Sequence, residues 1–295
     1  MDVKVGSAPD SWGVWFPDDP KQIPYDRCLD EIAAAGYEHT ELGPYGYLPT
    51  DLPTLNEELD KRNLSASGTF VMASLEDPAS AGEIERQLNG AGELVAGTGG
   101  GYIVLIDDLY SNPWTGEMLV EKELDDAGWK RLVDKVNEVA TISRERFGLQ
   151  TVYHPHAETH VEYEPQIERL MADTDPTVVS FCLDTGHHAY RGGDPVSFMR
   201  QHHERISYLH LKSVDRDKQK EVEANGVTFG PAVGDGVFCE PSVGAVDFEA
   251  FRDVLRDVNF SGYAIVEQDM YPCNFSKPLP IAKRSLEYLK EMGIG

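Results

Sequence analysis

Short apolar runs rich in Val, Ile, Tyr and Phe recur along the chain, and stretches with the periodicity of amphipathic helices separate them. The runs predict eight strands: Val3–Gly6, His39–Leu42, Ala66–Val71, Tyr102–Ile106, Gln150–His154, Val178–Asp184, Ile206–Lys212 and Tyr263–Glu267. The periodic stretches predict eight helices: Pro24–Ala35, Leu52–Arg62, Ala79–Ala96, Leu124–Phe147, Pro165–Ala172, Pro195–His203, Phe248–Val258 and Pro278–Glu291. Each predicted strand is therefore followed by a predicted helix.

The order of these elements indicates the fold. Prolines suited to the first helical turn and glycines suited to helix ends, such as Pro24 and Gly36, mark helix boundaries. Strict alternation of strand and helix predicts a parallel sheet, and eight such units close a (β/α)8 barrel. We therefore predict an α/β protein with one barrel domain over residues 1–295. A doubly wound sheet is the alternative, but residues 7–13 after the first strand lack the pattern G-x-G-x-x-G.

The connection after the seventh strand is longer than the others. Residues 213–247 are rich in Gly and charge, and residues 216–225 form a short predicted helix. Long loops in compact domains are usually lids or binding segments, and the loops after barrel strands lie over the active face. We therefore predict that this loop covers the mouth of the barrel.

The charge balance excludes one class of partner. The 26 Lys and Arg residues against 51 Asp and Glu residues give a net charge of −25, whereas nucleic acids and anionic membranes favour basic patches. Most of these acids are expected to form a solvated surface. The four cysteines are dispersed without a C-x-x-C motif, which suits free thiols in a reducing cytosol. With no leader pattern and no long apolar run, we expect a cytoplasmic protein.

Polar residues stand where several predicted strands end. His154, Asp184, His210 and Glu267 lie at the ends of the fifth to eighth strands, and the carboxyl ends of barrel strands meet at one mouth. Burying an ionised carboxylate after an apolar run is costly unless a partner compensates its charge. Imidazole with carboxylate is a ligand set for Mn²⁺, Co²⁺, Fe²⁺ or Zn²⁺ and suits Mg²⁺ less well. We therefore predict that these four residues form a divalent-metal site.

Other residues near the strand ends are candidates for contact with a substrate. They are Trp12, Trp15, Phe16, Glu41, Asp107 and His156. The aromatic candidates after the first strand fit a pocket wall and a lid over the core equally well. Glu158 and Glu162, in the loop after the fifth strand, are the alternatives to His154 as metal ligands. A structural role is predicted for His160, His188, His202 and His203.

Several motifs resemble a known family. The segments Leu183–His187, His210–Lys212, Val237–Phe248 and Ile265–Asp269 resemble the xylose-isomerase-like sugar isomerase and epimerase barrels. Within that superfamily, Tyr153–His156 and Ile167–Pro176 are similar to the inosose dehydratase branch of myo-inositol catabolism. The resemblance covers nearly the whole chain.

The resemblance implies a divalent-metal enzyme that acts on a polyhydroxylated ketone. Asp184, His210 and Glu267 match three of the superfamily's metal ligands, and His154 falls on the first ligand position, as in the dehydratase branch. His187 is expected near substrate hydroxyls. Two segments depart from the dehydratase pattern, namely residues 241–246 in place of Pro-Gly-Asp-Gly and residues 157–159 in place of Met-Gly-Thr. Both border the expected pocket, so the resemblance leaves the exact substrate open.

The expected chemistry begins with loss of a carbon-bound proton beside the ketone, because a divalent metal stabilises the enediolate that results. The candidate bases are Glu267, His156 and Lys212, and Lys212 is equally suited to neutralise the enediolate. Loss of a β-hydroxyl makes the protein a dehydratase, which is the favoured interpretation. Reprotonation instead makes it a ketose 3-epimerase or an aldose–ketose isomerase.

A non-catalytic sugar-binding barrel is the alternative of another class. The missing basic groove disfavours a two-metal endonuclease on the same fold. The expected partners are a small polyol or keto-sugar and a metal ion, with Mn²⁺ or Co²⁺ favoured and Zn²⁺, Fe²⁺ or Mg²⁺ compatible. No nucleic-acid or membrane partner is expected. Pairing of the outer helices is compatible with a homo-oligomer.

Overall fold

Nine strands form one parallel sheet that curls into a barrel, and the computed structural model describes residues 1–295. The strands are β1 (Asp2–Ser7), β2 (His39–Thr40), β3 (Ser65–Ala66), β4 (Gly68–Ala73), β5 (Tyr102–Asp107), β6 (Gln150–Tyr153), β7 (Val179–Asp184), β8 (Ile206–Leu211), β9 (Ser213–Val214), β10 (Phe238–Cys239) and β11 (Ser261–Val266). Their order in the sheet is β3-β2-β1-β11-β8-β7-β6-β5-β4, and β9 pairs with β10 in a separate antiparallel ribbon. This arrangement confirms the predicted (β/α)8 barrel.

The third predicted strand is divided at Ser67 into two strands, β3 and β4, which pair with different neighbours. β3 pairs with β2, whereas β4 pairs with β5. The Ser67 amide donates to Thr40 O on one side, and Ser67 O accepts a hydrogen bond from Gly101 N on the other. The predicted continuous strand Ala66–Val71 is therefore wrong in detail, because the chain changes its pairing partner within it.

Helices surround the barrel and follow the predicted pattern closely. They are α1 (Tyr25–Ala35), α2 (Leu52–Asp60), α3 (Ala81–Gly97), α4 (Asp126–Ile142), α5 (Glu164–Asp173), α6 (Thr185–Tyr190), α7 (Pro195–His202), α8 (Arg216–Asn225), α9 (Phe229–Gly234), α10 (Phe248–Asp257) and α11 (Pro278–Met292). The sequence did not predict α6 and α9, because six-residue helices are too short to show a periodicity.

Helix α4 illustrates the local physics. The Asp125 carboxylate accepts a hydrogen bond from Gly128 N and so caps the first turn. Trp129, Leu132 and Val136 follow at helical spacing and are buried against the sheet. A π-helical turn over Ser143–Phe147 then ends at Gly148, whose left-handed backbone conformation favours glycine.

The long segment after β8 carries secondary structure of its own. It contains the ribbon β9–β10 and the helices α8 and α9, and α8 coincides with the predicted short helix. Phe229, the first residue of α9, lies at the cavity described below. The segment therefore adds a wall to the mouth of the barrel.

The core is divided by the sheet into two clusters. A small inner cluster includes Val104, Val152, Cys182 and Ile265 and fills the barrel. A much larger cluster packs the helices against the outer face of the strands. No helix is both long enough and apolar enough to cross a membrane.

Candidate metal centre

Four side chains from four neighbouring strands meet at the carboxyl-terminal mouth. His154 follows β6, Asp184 ends β7, His210 lies in β8 and Glu267 follows β11. These strands are adjacent in the sheet order, so their ends converge. All four residues are buried, and one potential ligand atom from each lies within 4.8 Å of the others. The structure thus brings together the four residues that the sequence selected as metal ligands.

Each histidine turns one ring nitrogen toward this cluster and bonds the other away from it. His154 Nδ1 lies 2.9 Å from Pro155 O and donates to it, which leaves Nε2 facing Asp184 Oδ2 at 3.5 Å. His210 Nε2 donates to Glu41 Oε1 at 2.8 Å, which places Nδ1 3.6 Å from the same Asp184 oxygen. Burial by itself lowers the pKa of His210, but the neighbouring Cys182, Glu267 and Glu41 raise it well above its usual value, so a metal ion bound to Nδ1 would displace a proton. Such hydrogen bonds on the far nitrogen fix the tautomer of metal-binding histidines.

The two carboxylate oxygens of Asp184 have different roles: one caps α6 and the other faces the cluster. Oδ1 accepts from Gly186 N and His187 N, each at 2.8 Å, and so caps α6. Oδ2 and His210 Nδ1 are buried and make no hydrogen bond of acceptable geometry. Burial opposes ionisation, but the charge of Lys212 outweighs it and holds the pKa of Asp184 well below its usual value. An ionised oxygen and an imidazole nitrogen without a hydrogen-bond partner are groups that a divalent cation would bind.

The donor spacing also fits a single ion. His210 Nδ1 lies 3.1 Å from Glu267 Oε2, and the distances from His154 Nε2 and His210 Nδ1 to Asp184 Oδ2 are 3.5 and 3.6 Å. Ligand atoms bound about 2.0–2.2 Å from one metal ion lie at comparable separations from each other. The residues present therefore fit a divalent metal.

Lys212 lies beside the cluster with its side chain wholly buried. Its Nζ is 2.7 Å from Glu267 Oε2, 2.8 Å from Asp269 Oδ2 and 3.0 Å from Asp184 Oδ2. Burial alone would lower the pKa of Lys212, but the charges of these three carboxylates raise it well above its usual value. This environment favours the charged ammonium, and so it favours the charge-neutralising alternative over a lysine acting as a base.

We expect Glu41→Gln to weaken metal binding by about 10- to 100-fold, as is typical when a hydrogen-bond partner of a metal-binding histidine is changed. The Glu41 carboxylate accepts a hydrogen bond from His210 Nε2 and so turns Nδ1 toward the cluster. Titration calorimetry with Mn²⁺ measures the effect. Glu38→Gln, at an exposed position just before β2, is the control. An unchanged affinity in Glu41→Gln would show that this hydrogen bond does not prepare His210.

A cavity of about 370 Å³ opens above the cluster. Six predicted site residues line it: Trp15, Glu41, His154, His156, His210 and Glu267. Phe16, which was predicted together with Trp15, lines it as well. The cavity is thus continuous with the proposed metal ligands and with aromatic residues that follow β1.

Three predicted substrate contacts, Trp12, Asp107 and His187, do not line this cavity. His187 is buried behind His156. Trp12 is fully buried in the core, and its Nε1 donates to Glu31 Oε2 at 2.9 Å. Asp107 is also fully buried, with one oxygen near His160 Nδ1 at 2.7 Å and the other accepting from Leu75 N at 3.0 Å. The structure therefore places these side chains away from the cavity, because strand-end position does not tell which side of the following turn a side chain faces.

The alternative metal ligands are also placed elsewhere. Glu158 and Glu162 both pair with Arg191, each with an oxygen 2.6 Å from a guanidinium nitrogen. They join the loop after β6 to the end of α6. This ion-pair network explains why acids occur in the loop without a role at the metal cluster.

His160 has a structural role in the interior of the protein. It is buried, with Nδ1 bonded to Asp107 and Nε2 bonded to Glu121 O. Burial by itself lowers the pKa of His160, but the Asp107 hydrogen bond and charge raise it overall. The histidine thereby fastens the loop after β5 to the barrel.

His156 and His187 lie close together, with their rings tilted by 42°, between the cluster and α9. Their ring centroids are 3.8 Å apart, and His187 Nε2 lies 3.7 Å from Asp269 Oδ2. Burial and the neighbouring charges lower the pKa of His156 to about 3, so its imidazole is neutral. His156 Nδ1 donates to Ala157 O at 2.7 Å, which leaves its Nε2 without a proton.

Sequence reasoning missed two acids in the same mouth. Asp10 and Asp269 line the cavity, and an oxygen of each lies within 4.8 Å of an oxygen of Glu267. Asp269 stands two residues after Glu267, and Asp10 follows β1, so both occupy the loop positions where barrel active sites lie. Attention to the loops as well as to the strand ends would have identified them.

Two imidazoles and two carboxylates are buried together at the carboxyl-terminal mouth of the barrel. The protein is therefore a (β/α)8 barrel with a site able to hold a divalent metal ion. The comparison with protein families names it more closely. The chain belongs to the xylose isomerase-like TIM barrel family, which matches residues 29–292.

Individual relatives cover the whole chain. An inosose dehydratase of Geobacillus kaustophilus is 31% identical over 294 residues, which covers 98% of this chain and 94% of the relative. One from Clostridium perfringens is 29% identical over 293 residues, with coverage of 98% and 97%. Among solved structures, the probable 3-DHS dehydratase AsbF of Bacillus anthracis has a TM-score of 0.73 at 14% identity, with coverage of 98% and 99%. The zinc-bound IolI protein has a TM-score of 0.70 at 18% identity, with coverage of 98% of both chains.

Proposed function

We propose that the protein is a divalent-metal-dependent lyase that dehydrates a polyhydroxylated ketone of the inosose type. The observation that carries the proposal is the convergence of His154, Asp184, His210 and Glu267 at the mouth of the barrel. Full-length similarity to proteins named inosose dehydratase supports dehydration as the reaction.

His154, Asp184, His210 and Glu267 would hold the metal through two nitrogens and two carboxylate oxygens. A bound divalent ion polarises a ketone and stabilises the negative charge that develops when a neighbouring carbon loses its proton. The mixed nitrogen and oxygen donors favour Mn²⁺ or Co²⁺ over Mg²⁺.

His156, Lys212 and Glu267 supply the remaining groups that the reaction needs. His156 lines the cavity with a neutral imidazole whose Nε2 can accept a carbon-bound proton. The Lys212 ammonium holds Glu267, Asp269 and Asp184 in place and supplies positive charge beside the substrate site. Glu267 remains the alternative base, because its carboxylate also lines the cavity.

We expect metal-loaded protein incubated with a panel of inososes and ketoses to give two signals. Loss of water creates an enone or dione that absorbs ultraviolet light, and proton abstraction exchanges a carbon-bound hydrogen in deuterated water. Absorbance with exchange supports the dehydratase. Exchange without absorbance identifies an epimerase or isomerase, and neither signal on any member of the panel would leave a non-catalytic sugar-binding barrel.

A further inference from the structure

The cavity above the proposed metal ligands has two chemically different sides. The donors come from β6, β7, β8 and the end of β11. The opposite side is built by β4, β5 and the loop after β5, and it presents Phe70, Met72, Ile106, Leu109, Trp114 and Leu119. Because β4 and β5 continue the same sheet beyond β6, the polar and apolar sides face each other across one mouth.

Aromatic rings extend the apolar side outward. Trp15 and Trp114 lie with ring centroids 5.8 Å apart, and Tyr271 stacks on Trp15 at 5.2 Å. Rings this close leave no room for a further ring between them, so they form a continuous wall. A ligand would therefore lie against this wall and not between its rings.

The polar residues on this side have their oxygens engaged within the protein. Ser111 Oγ donates to Glu158, and Asn112 Oδ1 accepts from the backbone amides of Trp114 and Thr115. Asp108 Oδ1 accepts from Leu109 N. A substrate hydroxyl placed here would compete with these internal hydrogen bonds for its partners.

The rim of the cavity leaves apolar surface open to water. Seven large apolar side chains are exposed in the whole chain, and three of them, Phe16, Trp114 and Leu119, line this cavity at 40%, 38% and 60% exposure. Exposed apolar groups concentrated at one groove, on a chain with a net charge of −25, mark a binding surface.

The volume of the cavity also favours a ligand that has an apolar part. Its volume of about 370 Å³ falls within the range of roughly 300–1,000 Å³ that encloses most of a drug-sized ligand. An inosose is a single six-membered ring with a hydroxyl on every carbon except the ketone. Such a ring fits the polar side and has no apolar group to place against Phe70, Trp114 or Leu119.

We propose that the preferred substrate is a polyhydroxylated ketone carrying an apolar substituent, such as an aryl aglycone, which lies against the wall formed by Trp15, Trp114 and Leu119. This inference rests on the proposed function for the polar end of the substrate. It adds a second subsite, which recognises the apolar end.

The test uses two inert probes with the same sugar ring, phenyl β-D-glucopyranoside and methyl β-D-glucopyranoside, and measures binding to metal-loaded protein by titration calorimetry. We expect the phenyl probe to bind roughly tenfold more tightly or better, because an aromatic ring leaves water. Trp114→Ala and Leu119→Asn should bring the ratio of dissociation constants close to one. Leu119 is exposed, so its substitution leaves folding intact even if loss of Trp114 disturbs its ring neighbours.

Met118→Ala is the matched control, because Met118 is an exposed apolar residue of the same loop that does not line the cavity. It should keep the wild-type ratio. Equal binding of the two probes would overturn the inference, and so would a phenyl preference that both Leu119→Asn and Trp114→Ala retain.

Turnover of the ketone panel separates this inference from the proposed function. If the protein dehydrates an unsubstituted inosose but binds the two probes equally, the apolar subsite is rejected and the proposed lyase function is supported. If the protein prefers the phenyl probe through Trp114 and Leu119 but turns over no ketone, the apolar subsite is supported and the proposed lyase function is rejected.

Discussion

Asp184→Asn is expected to weaken metal binding strongly while leaving the fold intact. Asparagine keeps the side-chain oxygen that caps α6, because Asn is as good an N-cap as Asp. It removes the charge of the oxygen that faces the ring nitrogens of His154 and His210 in the cluster. We expect the affinity for Mn²⁺ to fall by about 100-fold or more and ketone turnover by roughly a thousandfold or more. Titration calorimetry and the ultraviolet assay measure the two effects.

Asp194→Asn is the matched control for this substitution. Asp194 caps α7 by accepting from Val196 N, and it lies outside the cavity. The control should keep metal affinity and turnover at wild-type levels. Wild-type metal affinity in Asp184→Asn would contradict the placement of the metal between β6, β7, β8 and β11.

Lys212→Met is expected to cost the metal-free protein about 3–5 kcal/mol in the free energy of unfolding, because removing one partner leaves buried charges uncompensated. The ammonium lies within 3.0 Å of oxygens from Asp184, Glu267 and Asp269. Methionine fills similar volume without the charge. Urea denaturation in the presence of a chelator measures the difference.

Lys130→Met provides the comparison, because the Lys130 side chain is 73% exposed and its pairing with Asp134 lies on the surface. Surface pairs of this kind contribute about 0–1 kcal/mol. If Lys212→Met cost no more than Lys130→Met, Lys212 would not be the cation that balances the buried acids.

The positions of the four proposed ligands could be predicted because barrel topology converts sequence position into spatial position. His154, Asp184, His210 and Glu267 end four strands that neighbour one another in the sheet. Strand order follows from strict alternation of strand and helix, so the convergence of their ends required no knowledge of loop conformation.

Features that depend on loops and turns could not be read in this way. Trp12 lies in a short 3-10 turn, Pro9–Trp12, and the direction of its side chain is decided by packing against α1. Trp114 reaches the cavity only because the loop after β5 folds back over the mouth. Neither element has a periodicity from which burial follows.

The three carboxylates around Lys212 show a second limit. Asp184, Glu267 and Asp269 come from the ends of two strands, and Lys212 follows a third strand that lies between them in the sheet. The motif positions identified the first two acids as ligands and Lys212 as a candidate base. The surrounding carboxylates raise the pKa of Lys212 because they lie close to its ammonium. The pattern of residues along the sequence does not give these distances.

The central claim is that one divalent ion held by His154, Asp184, His210 and Glu267 is required for turnover of a polyhydroxylated ketone. Its most direct test measures metal content and inosose turnover in the same samples, as chelated protein is reloaded stepwise with Mn²⁺. We expect turnover to rise from near zero in proportion to bound metal and to level off at about one ion per chain. Full turnover in the chelated, metal-free protein would contradict the claim.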